Sequence, residues 1–370
     1  MRGFRQEQVS AARIMVVGCG ALGNEVLKNL VLMGVTHITA VDFDVVETGN
    51  LTRSILFSKE DAERRRRKVD VVAERLKQIN SNVEIKTIYG DAAYDVGLGL
   101  IRKTDVIIGC VDSRWARYCI NRLAMRAGVP WVDGGIENLE GTVRVFVPGK
   151  NCYACNLGPE GLKELARRMP CSGIIRRHEQ AGSAPTTSII ASVIGAIQVQ
   201  EALKLVQKDF GTSLCGRMLY YEGEHMTVRT ADYEAYDDDC PEHELWTPVR
   251  STEASRTMTV GEALELWHQE LGTSDVTLCL TNDCFVDYVS RRDNDERSYV
   301  MKPGRMVEGH LEQDRLLRGL QANALYQHEY RHIDKDFPYP ELTLAQLGIP
   351  NEDIVRVRSG GEESYLELKN

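Results

Sequence analysis

The chain has 370 residues, of which 43% are hydrophobic and 27% charged, proportions that fit an ordinary folded protein of two or three domains with sizeable cores. Its formal net charge of −9 argues against a nucleic-acid binder and permits a basic partner. No uninterrupted run of about 18 apolar residues is present, so no membrane span is expected. The N-terminus also lacks the charged-then-apolar layout of a secretory signal, so a cytoplasmic setting is expected. In that setting, ten cysteines at irregular spacings point to metal binding or thiol chemistry and away from disulfides.

In chain order, an apolar run at residues 14–17 is followed by a glycine turn and a helical pattern over 25–33. Strand-like runs recur at 38–41, 83–88, 105–110 and 129–132, with helical spacing over 68–79 and 115–127 between them. This alternation predicts a parallel sheet with helices on both faces, which binds ligands beyond the carboxyl ends of its strands. Residues 141–148 read as β, 151–185 as irregular, and 189–206 as a long apolar helix packed on the sheet. After Tyr221 the chain turns acidic at Asp237, Asp238 and Asp239. The expected domains are 1–246, with a cysteine-bearing excursion over 149–188, a linker at 247–257, and a smaller α+β domain over 258–370. That last domain should hold an amphipathic helix at 259–271 and a strand at 276–280. A short helix and a hairpin are expected within 344–368, turning at Gly348, Pro350 and Gly360-Gly361.

Gly18-Cys19-Gly20-Ala21-Leu22-Gly23 follows the first strand and opens a helix. Glycines at such a turn let the backbone approach a phosphate, and the helix N-terminus adds amide donors and a favourable dipole. Asp42 ends the next strand, where a carboxylate accepts hydrogen bonds from ribose hydroxyls. Alone, these features fit any nucleotide, a nicotinamide dehydrogenase first. The residues that follow fit a triphosphate better: Asn50 and Arg53 come soon after Asp42, Lys68 begins a helix, and Asp112 follows the strand at 105–110. Converging cations stabilise the charge that builds up as pyrophosphate leaves, and Asp112 is placed to hold magnesium directly or through water. The other role open to Asp112 is a cap on the next helix. Arg64, Arg65, Arg66 and Arg67 read as a solvated helix start.

Taken in order over residues 13–206, these elements resemble the superfamily of ubiquitin-activating enzymes and their bacterial relatives ThiF, MoeB and HesA. The resemblance is carried by the glycine loop, Val41-Asp42-Phe43-Asp44, Asn50 with Arg53, Lys68, and Cys110-Val111-Asp112. Arg117 with Asn121, Gly134-Gly135, Cys152-Tyr153-Ala154-Cys155 and residues 198–204 extend it. It implies an α/β, Rossmann-like adenylation domain with a zinc-stapled insert and a smaller C-terminal α+β domain, using ATP, Mg2+ and Zn2+. Gly18, Gly20, Ala21, Leu22 and Gly23 would lie under the nucleotide, Asp42 would hold the ribose, and Asp44 would position adenosine or metal. Asn50, Arg53 and Lys68 would contact the phosphates, and Asp112 would bind magnesium. The implied product is an acyl-adenylate at the C-terminal glycine of a ubiquitin-like protein, formed by a homodimer. Many relatives carry an arginine finger ahead of the first strand; here only Arg2 and Arg5 stand in that region.

Cys152 and Cys155 form a C-x2-C pair, and Cys240 and His243 a C-x2-H pair. Together they make a tetrahedral thiolate and imidazole set for a structural zinc, with no open position for catalysis. The resembled family usually has a second C-x2-C, so His243 is a substitution that zinc accepts. Within the excursion, the family places a catalytic cysteine that takes the acyl group as a thioester, a role that falls here on Cys171. Arg167, Arg168, Arg176, Arg177 and His178 surround it in sequence and would favour the nucleophilic thiolate. Pro185-Thr186-Thr187 also resembles thioester-forming members. Cys19, Cys110, Cys119, Cys279 and Cys284 read as core residues.

By analogy, the C-terminal domain would be a ubiquitin-fold-like module that docks a conjugating enzyme, and the other reading is a dimerisation or stability module. His328, His332 and Asp336 have metal-like spacing but read as one polar helix face. The leading expectation is thus adenylation of a ubiquitin-like protein, a thioester on Cys171, and transfer to a conjugating enzyme. The alternatives are adenylation that feeds sulfur transfer, and an inactive scaffold half of a heterodimer.

Overall fold

The computed structural model describes residues 4–158, 160–161, 163, 165, 186–209, 211–233, 236–273, 275–292, 295–304 and 325–369. They divide into two compact units, one from the described residues of 1–93, 100–158 and 182–245, the other from those of 94–99, 159–181 and 246–370. Up to Asp232 the helices are α1 (Gln6–Ala11), α2 (Ala21–Leu32), α3 (Lys59–Glu63), α4 (Lys68–Ile79), α5 (Leu98–Arg102), α6 (Arg114–Ala127) and α7 (Ser188–Val206). The strands over the same stretch are β1 (Arg13–Val17), β2 (His37–Asp42), β3 (Glu84–Tyr89), β4 (Val106–Gly109), β5 (Trp131–Glu137), β6 (Glu140–Phe146), β7 (Arg217–Glu222) and β8 (Thr227–Asp232).

In the first unit these strands form one sheet in the order β3-β2-β1-β4-β5-β6-β7-β8. The first five run parallel, and β5 to β8 continue antiparallel. Ile14, Met15, Val16 and Val17 of β1 are all buried, because a central parallel strand is covered on both faces and reads as an unbroken apolar run. By contrast β8, at the open edge, is exposed along almost its whole length. Strand order reverses between β1 and β4, so a crevice opens beyond their carboxyl ends. The glycine loop leaves β1 there and residues 110–113 leave β4, tied by Cys110 N–H donating to Val17 O at 2.7 Å.

By length and composition, α7 could cross a membrane, which a search for uninterrupted apolar runs does not register. Its residues instead line the core of this unit. Ile190, Ile194, Val199 and Ala202 are buried with Ile108, Val132 and Val143 of the sheet. Gly195 lets α7 approach α2, since a Cβ there would stand 3.0 Å from the Glu25 Cβ.

The second unit has two sheets, built from β9 (Val249–Ser255), β10 (Val276–Cys279), β11 (Phe285–Arg292), β12 (Asp295–Pro303), β13 (Leu325–Tyr330), β14 (His332–Ile333), β15 (Ile354–Ser359) and β16 (Glu362–Lys369). One has the order β14-β10-β15-β16-β9 and the other β12-β11-β13. Helix α8 (Val260–Leu271) begins with a capping box between Thr259 and Glu262, and its Trp267 is fully buried with Leu278, Ile333, Leu344 and Val357. Three expectations are corrected here. The stretch read as a linker contains β9, which pairs in parallel with β16, and its Thr252 accepts the Trp267 indole N–H at 3.1 Å. The short helix expected after residue 343 is a run of turns, although the hairpin through Gly360-Gly361 is present. His328 and His332 lie on strands, and His328 Nδ1 bonds the buried Asp287 at 2.7 Å; with Asp336 they form no metal-like group among the described residues.

Gly23 gives the fold a direct test. Alanine normally favours a helix over glycine by about 1 kcal/mol. Here its methyl would stand 1.9 Å from Gly18 O, and overpacking of that kind costs roughly 1–3 kcal/mol. Urea unfolding should therefore find Gly23→Ala less stable than the parent, and an unchanged or raised midpoint would contradict the contact.

Candidate active site

The crevice is built from the glycine loop upward. Gly18 has φ +94°, and a Cβ on it would meet Cys110 O at 2.4 Å. Gly18 and Gly23 thus permit backbone to lie on backbone, whereas a Cβ on Gly20 would face open space. Gly20 is the residue at the start of α2 and no side chain caps that helix end, so amide donors there remain available to an anion. Ala21 opens the helix, but Leu22 is buried in the core and offers a ligand only its backbone.

Asp42 binds this loop rather than pointing freely outward. Its Oδ2 accepts the Cys19 N–H at 2.6 Å and its Oδ1 the Asp44 N–H at 2.7 Å. Lys68, buried at the start of α4, donates to Asp44 Oδ2 at 2.8 Å. Burial works against the charge on Lys68, but the carboxylates of Asp42 and Asp44 outweigh it and hold the ammonium above its usual range. Burial likewise pushes the Asp42 carboxyl up, with Lys68 and the two amide donors opposing it.

Asn50 and Arg53 occupy the segment between β2 and α3. The Asn50 Oδ1 accepts the Glu47 N–H at 2.9 Å, which leaves its Nδ2 as the donor. Arg53 is half-buried and forms no side-chain hydrogen bond or ion pair among the described residues. Asp112 is exposed at the end of β4. The capping role open to it is taken by Ser113, whose hydroxyl accepts the Ala116 N–H at 3.0 Å. Sequence reasoning assigned no role to Asn24, which is fully buried. Its Nδ2 donates to Cys19 O and Gly20 O, and its Oδ1 accepts the Leu56 N–H, so it ties the loop to the Arg53 segment. The signal available was an amide on the apolar stretch of α2.

Beside the crevice, Asp133 on β5 is fully buried between two guanidinium groups. Arg117 Nε donates to Oδ1 at 2.9 Å and Arg144 Nε to Oδ2 at 2.9 Å. Burial opposes its charge, but Arg117 and Arg144 overcome that and hold the carboxyl below its usual range. Arg117 also donates to Gly134 O at 3.1 Å. Gln198 of α7 donates to Gly109 O at 2.9 Å and occupies the space that a Cβ on Gly134 would need.

Cys152, Cys155, Cys240 and His243 converge, their ligand atoms all within 4.8 Å of one another. Cys152 Sγ lies 3.8 Å from Cys240 Sγ, and Cys155 Sγ 3.7 Å from Cys152 Sγ. A tetrahedron with Zn–S bonds of about 2.3 Å has edges of about 3.8 Å, so the sulfur separations fit that ion. His243 Nε2 is 3.1 Å from Cys155 Sγ, and the Tyr236 ring stacks on the imidazole. The hydrogen bond to Cys240 is the main cause that holds the Cys152 thiol well below the usual thiol range.

Cys171 lies outside the described residues, as do Arg167, Arg168, Arg176, Arg177, His178, Pro185 and Arg2. Arg5 is described, and its guanidinium donates to Gln207 O at 2.9 Å. Cys19, Cys119, Cys279 and Cys284 are buried as expected, and Cys110 is half-buried.

These features define a doubly wound α/β protein, with a glycine loop and a helix start without a side-chain cap at its topological switch point and a zinc-compatible cluster beside the sheet. The sequence pattern of the ThiF family matches residues 2–242, and the chain belongs to that family. It is 30% identical over 236 residues to the SAMP-activating enzyme E1 of Haloferax volcanii, covering 64% of this chain and 82% of that one. It is 30% identical over 230 residues to the sulfur carrier protein adenylyltransferase of Thermus thermophilus, covering 60% and 79%. A crystal structure of Escherichia coli MccB with ATP superimposes with a TM-score of 0.52 at 21% identity, over 64% of this chain and 68% of that one, a likeness of fold.

The Asp133 cluster should be visible in stability. Asparagine at 133 leaves two half-buried guanidinium groups without a counter-charge, and breaking a buried ion pair costs about 3–5 kcal/mol. Because folding lowers the Asp133 pKa, its stabilisation is complete above the unfolded value of about 3.9 and is lost as pH falls through the folded value. Denaturant unfolding of Asp133→Asn should show a deficit at pH 7 that narrows below about pH 4. A deficit that is flat with pH would refute the ionised pair.

Proposed function

We propose that the chain is an ATP-dependent adenylyltransferase acting on the C-terminal glycine of a ubiquitin-like protein. The observation that carries this reading is the set around the β1/β4 crevice: a bare α2 N-terminus at Gly20, the Asp42 carboxylate, and two charged groups, Arg53 and Asp112, without partners among the described residues. Membership of the ThiF family, with relatives named as activating enzyme and adenylyltransferase, supports the same reading.

The residues would divide the work as follows. The α2 N-terminus and Lys68, with Arg53 and the Asn50 amide, would bind the phosphates and stabilise charge as pyrophosphate departs. Asp42 would receive the ribose, with Asp44 beside it holding Lys68. Asp112 would hold Mg2+, which when bound supplies charge neutralisation. The partner's terminal carboxylate attacks the α-phosphorus, and the bond from that phosphorus to the bridging oxygen of pyrophosphate breaks. The Cys152, Cys155, Cys240 and His243 set would hold Zn2+ as a structural cross-link.

A further part of the proposal is that Cys171 then attacks the acyl carbon as a thiolate and releases AMP. The thioester would pass to a conjugating enzyme, with residues 258–370 as its docking region and a homodimer as the working form. The second reading stops at adenylation and hands the acyl group to sulfur transfer. The relative named for a sulfur carrier protein favours it.

Two measurements test these steps. Asp112→Ala and Arg53→Ala should each lower ATP–pyrophosphate exchange by roughly 10²–10³-fold, and unchanged exchange would remove the residue from the site. Mass spectrometry after incubation with ATP and a ubiquitin-like substrate should find a reducible adduct that Cys171→Ala abolishes while adenylate still forms. An adduct that persists in Cys171→Ala would identify another thiol. Adenylate with no adduct in the wild type would favour sulfur transfer.

A further inference from the structure

Both halves of the zinc-compatible cluster are mounted on one helix. Asn121 of α6 accepts through Oδ1 the N–H of Tyr153 at 3.0 Å, and Tyr153 stands between Cys152 and Cys155 in sequence. The same oxygen accepts the Trp131 indole N–H at 3.3 Å, which fixes the amide against the sheet. On the same helix, Tyr118, three residues before Asn121, and Arg122, the residue after it, grip Glu242, which stands between Cys240 and His243. Tyr118 Oη donates to Glu242 Oε1 at 2.5 Å, Arg122 Nε to Oε2 at 3.1 Å, and Arg122 Nη2 to Oε1 at 3.2 Å. The Arg122 guanidinium lies over the Tyr118 ring, 4.9 Å from its centre. Glu242, Tyr118 and Asn121 are all buried.

Placing a carboxylate and a guanidinium here is costly. Buried ion pairs contribute little net stability, and well-packed apolar residues commonly do as well or better. What such a pair does supply is a fixed position, because both carboxylate oxygens are held from one helix face. The two pairs stand at metal-bonding separation, and α6 is the element common to both.

We propose that α6 presets the metal site: Glu242, gripped by Tyr118 and Arg122, holds the Cys240 and His243 pair in register with the Cys152 and Cys155 pair that Asn121 anchors. Glu242 is thus a positioning residue that sets metal affinity without touching the ion. The inference rests on reading the cluster as a zinc site.

The test uses the full chain and zinc alone, with affinity read by competition against a chromogenic chelator. Loss of groups that orient metal ligands typically costs 10–100-fold in affinity. Glu242→Gln should weaken zinc binding by about that factor, and Tyr118→Phe, which removes one donor, by less. The cobalt-substituted variants should keep the thiolate-to-metal absorption of the wild type, because all four ligands remain. Val132→Ala, a core change on β5 away from the cluster, should lower the melting temperature and leave affinity unchanged. Wild-type affinity in both Glu242→Gln and Tyr118→Phe would overturn the proposal and leave the metal assignment standing. Equal loss in Val132→Ala would reduce the effect to general destabilisation and overturn it as well. A wild-type protein that binds no zinc would overturn the metal reading and this inference together.

Discussion

The backbone of the glycine loop lies directly on the backbone of Cys110, and the rest of the candidate site is arranged around that contact. A side chain at Gly18 would strike Cys110 O, and one at Gly23 would strike Gly18 O. Two loops from opposite sides of the strand-order reversal are thereby held at van der Waals distance. Because the loops touch, the start of α2 and the end of β4 share one crevice. Asp42 and Asn24 then fix the loop through its own amides and carbonyls. Neither contact could form if the loop stood farther from the sheet.

The charged groups around this contact follow one energetic rule. Burial disfavours the charged forms of Lys68 and Asp133, and both persist because opposite charges and hydrogen bonds outweigh that cost. Lys68 keeps its proton through Asp42 and Asp44, and Asp133 stays ionised through Arg117 and Arg144. Arg53, half-buried, and Asp112, exposed, differ, since they carry charge with no partner among the described residues. Groups of the first kind are held in place by their partners; groups of the second kind are free to meet a ligand.

Cross-linking follows a comparable logic. The Cys152 and Cys240 sulfurs are 3.8 Å apart, far beyond the S–S bond of about 2.05 Å, and suited to sharing a metal ion. Helix α6 carries the contacts that bring the two pairs together. A long excursion of chain can thus be closed without a disulfide.

The sequence by itself determined the parallel sheet, the glycine loop and the two ligand pairs. Each is written in local order: an unbroken apolar run for a strand covered on both faces, glycines where backbone must approach backbone, and C-x2-C spacing for one ion. What required the tertiary structure was every role defined by a distant partner. Residues 249–255 look like a linker because a polar edge strand has little apolar signature, and only β16, at the other end of the chain, makes them β. His328 and His332 have the spacing of a helix face, but their neighbours lie across strands, with Asp287 facing His328. The burial of Asn24, Gln198 and Glu242 is not written in their local sequence, since a polar residue in a helix ordinarily faces water. Their donors and acceptors come from other elements, so packing alone reveals that these side chains are buried and bonded.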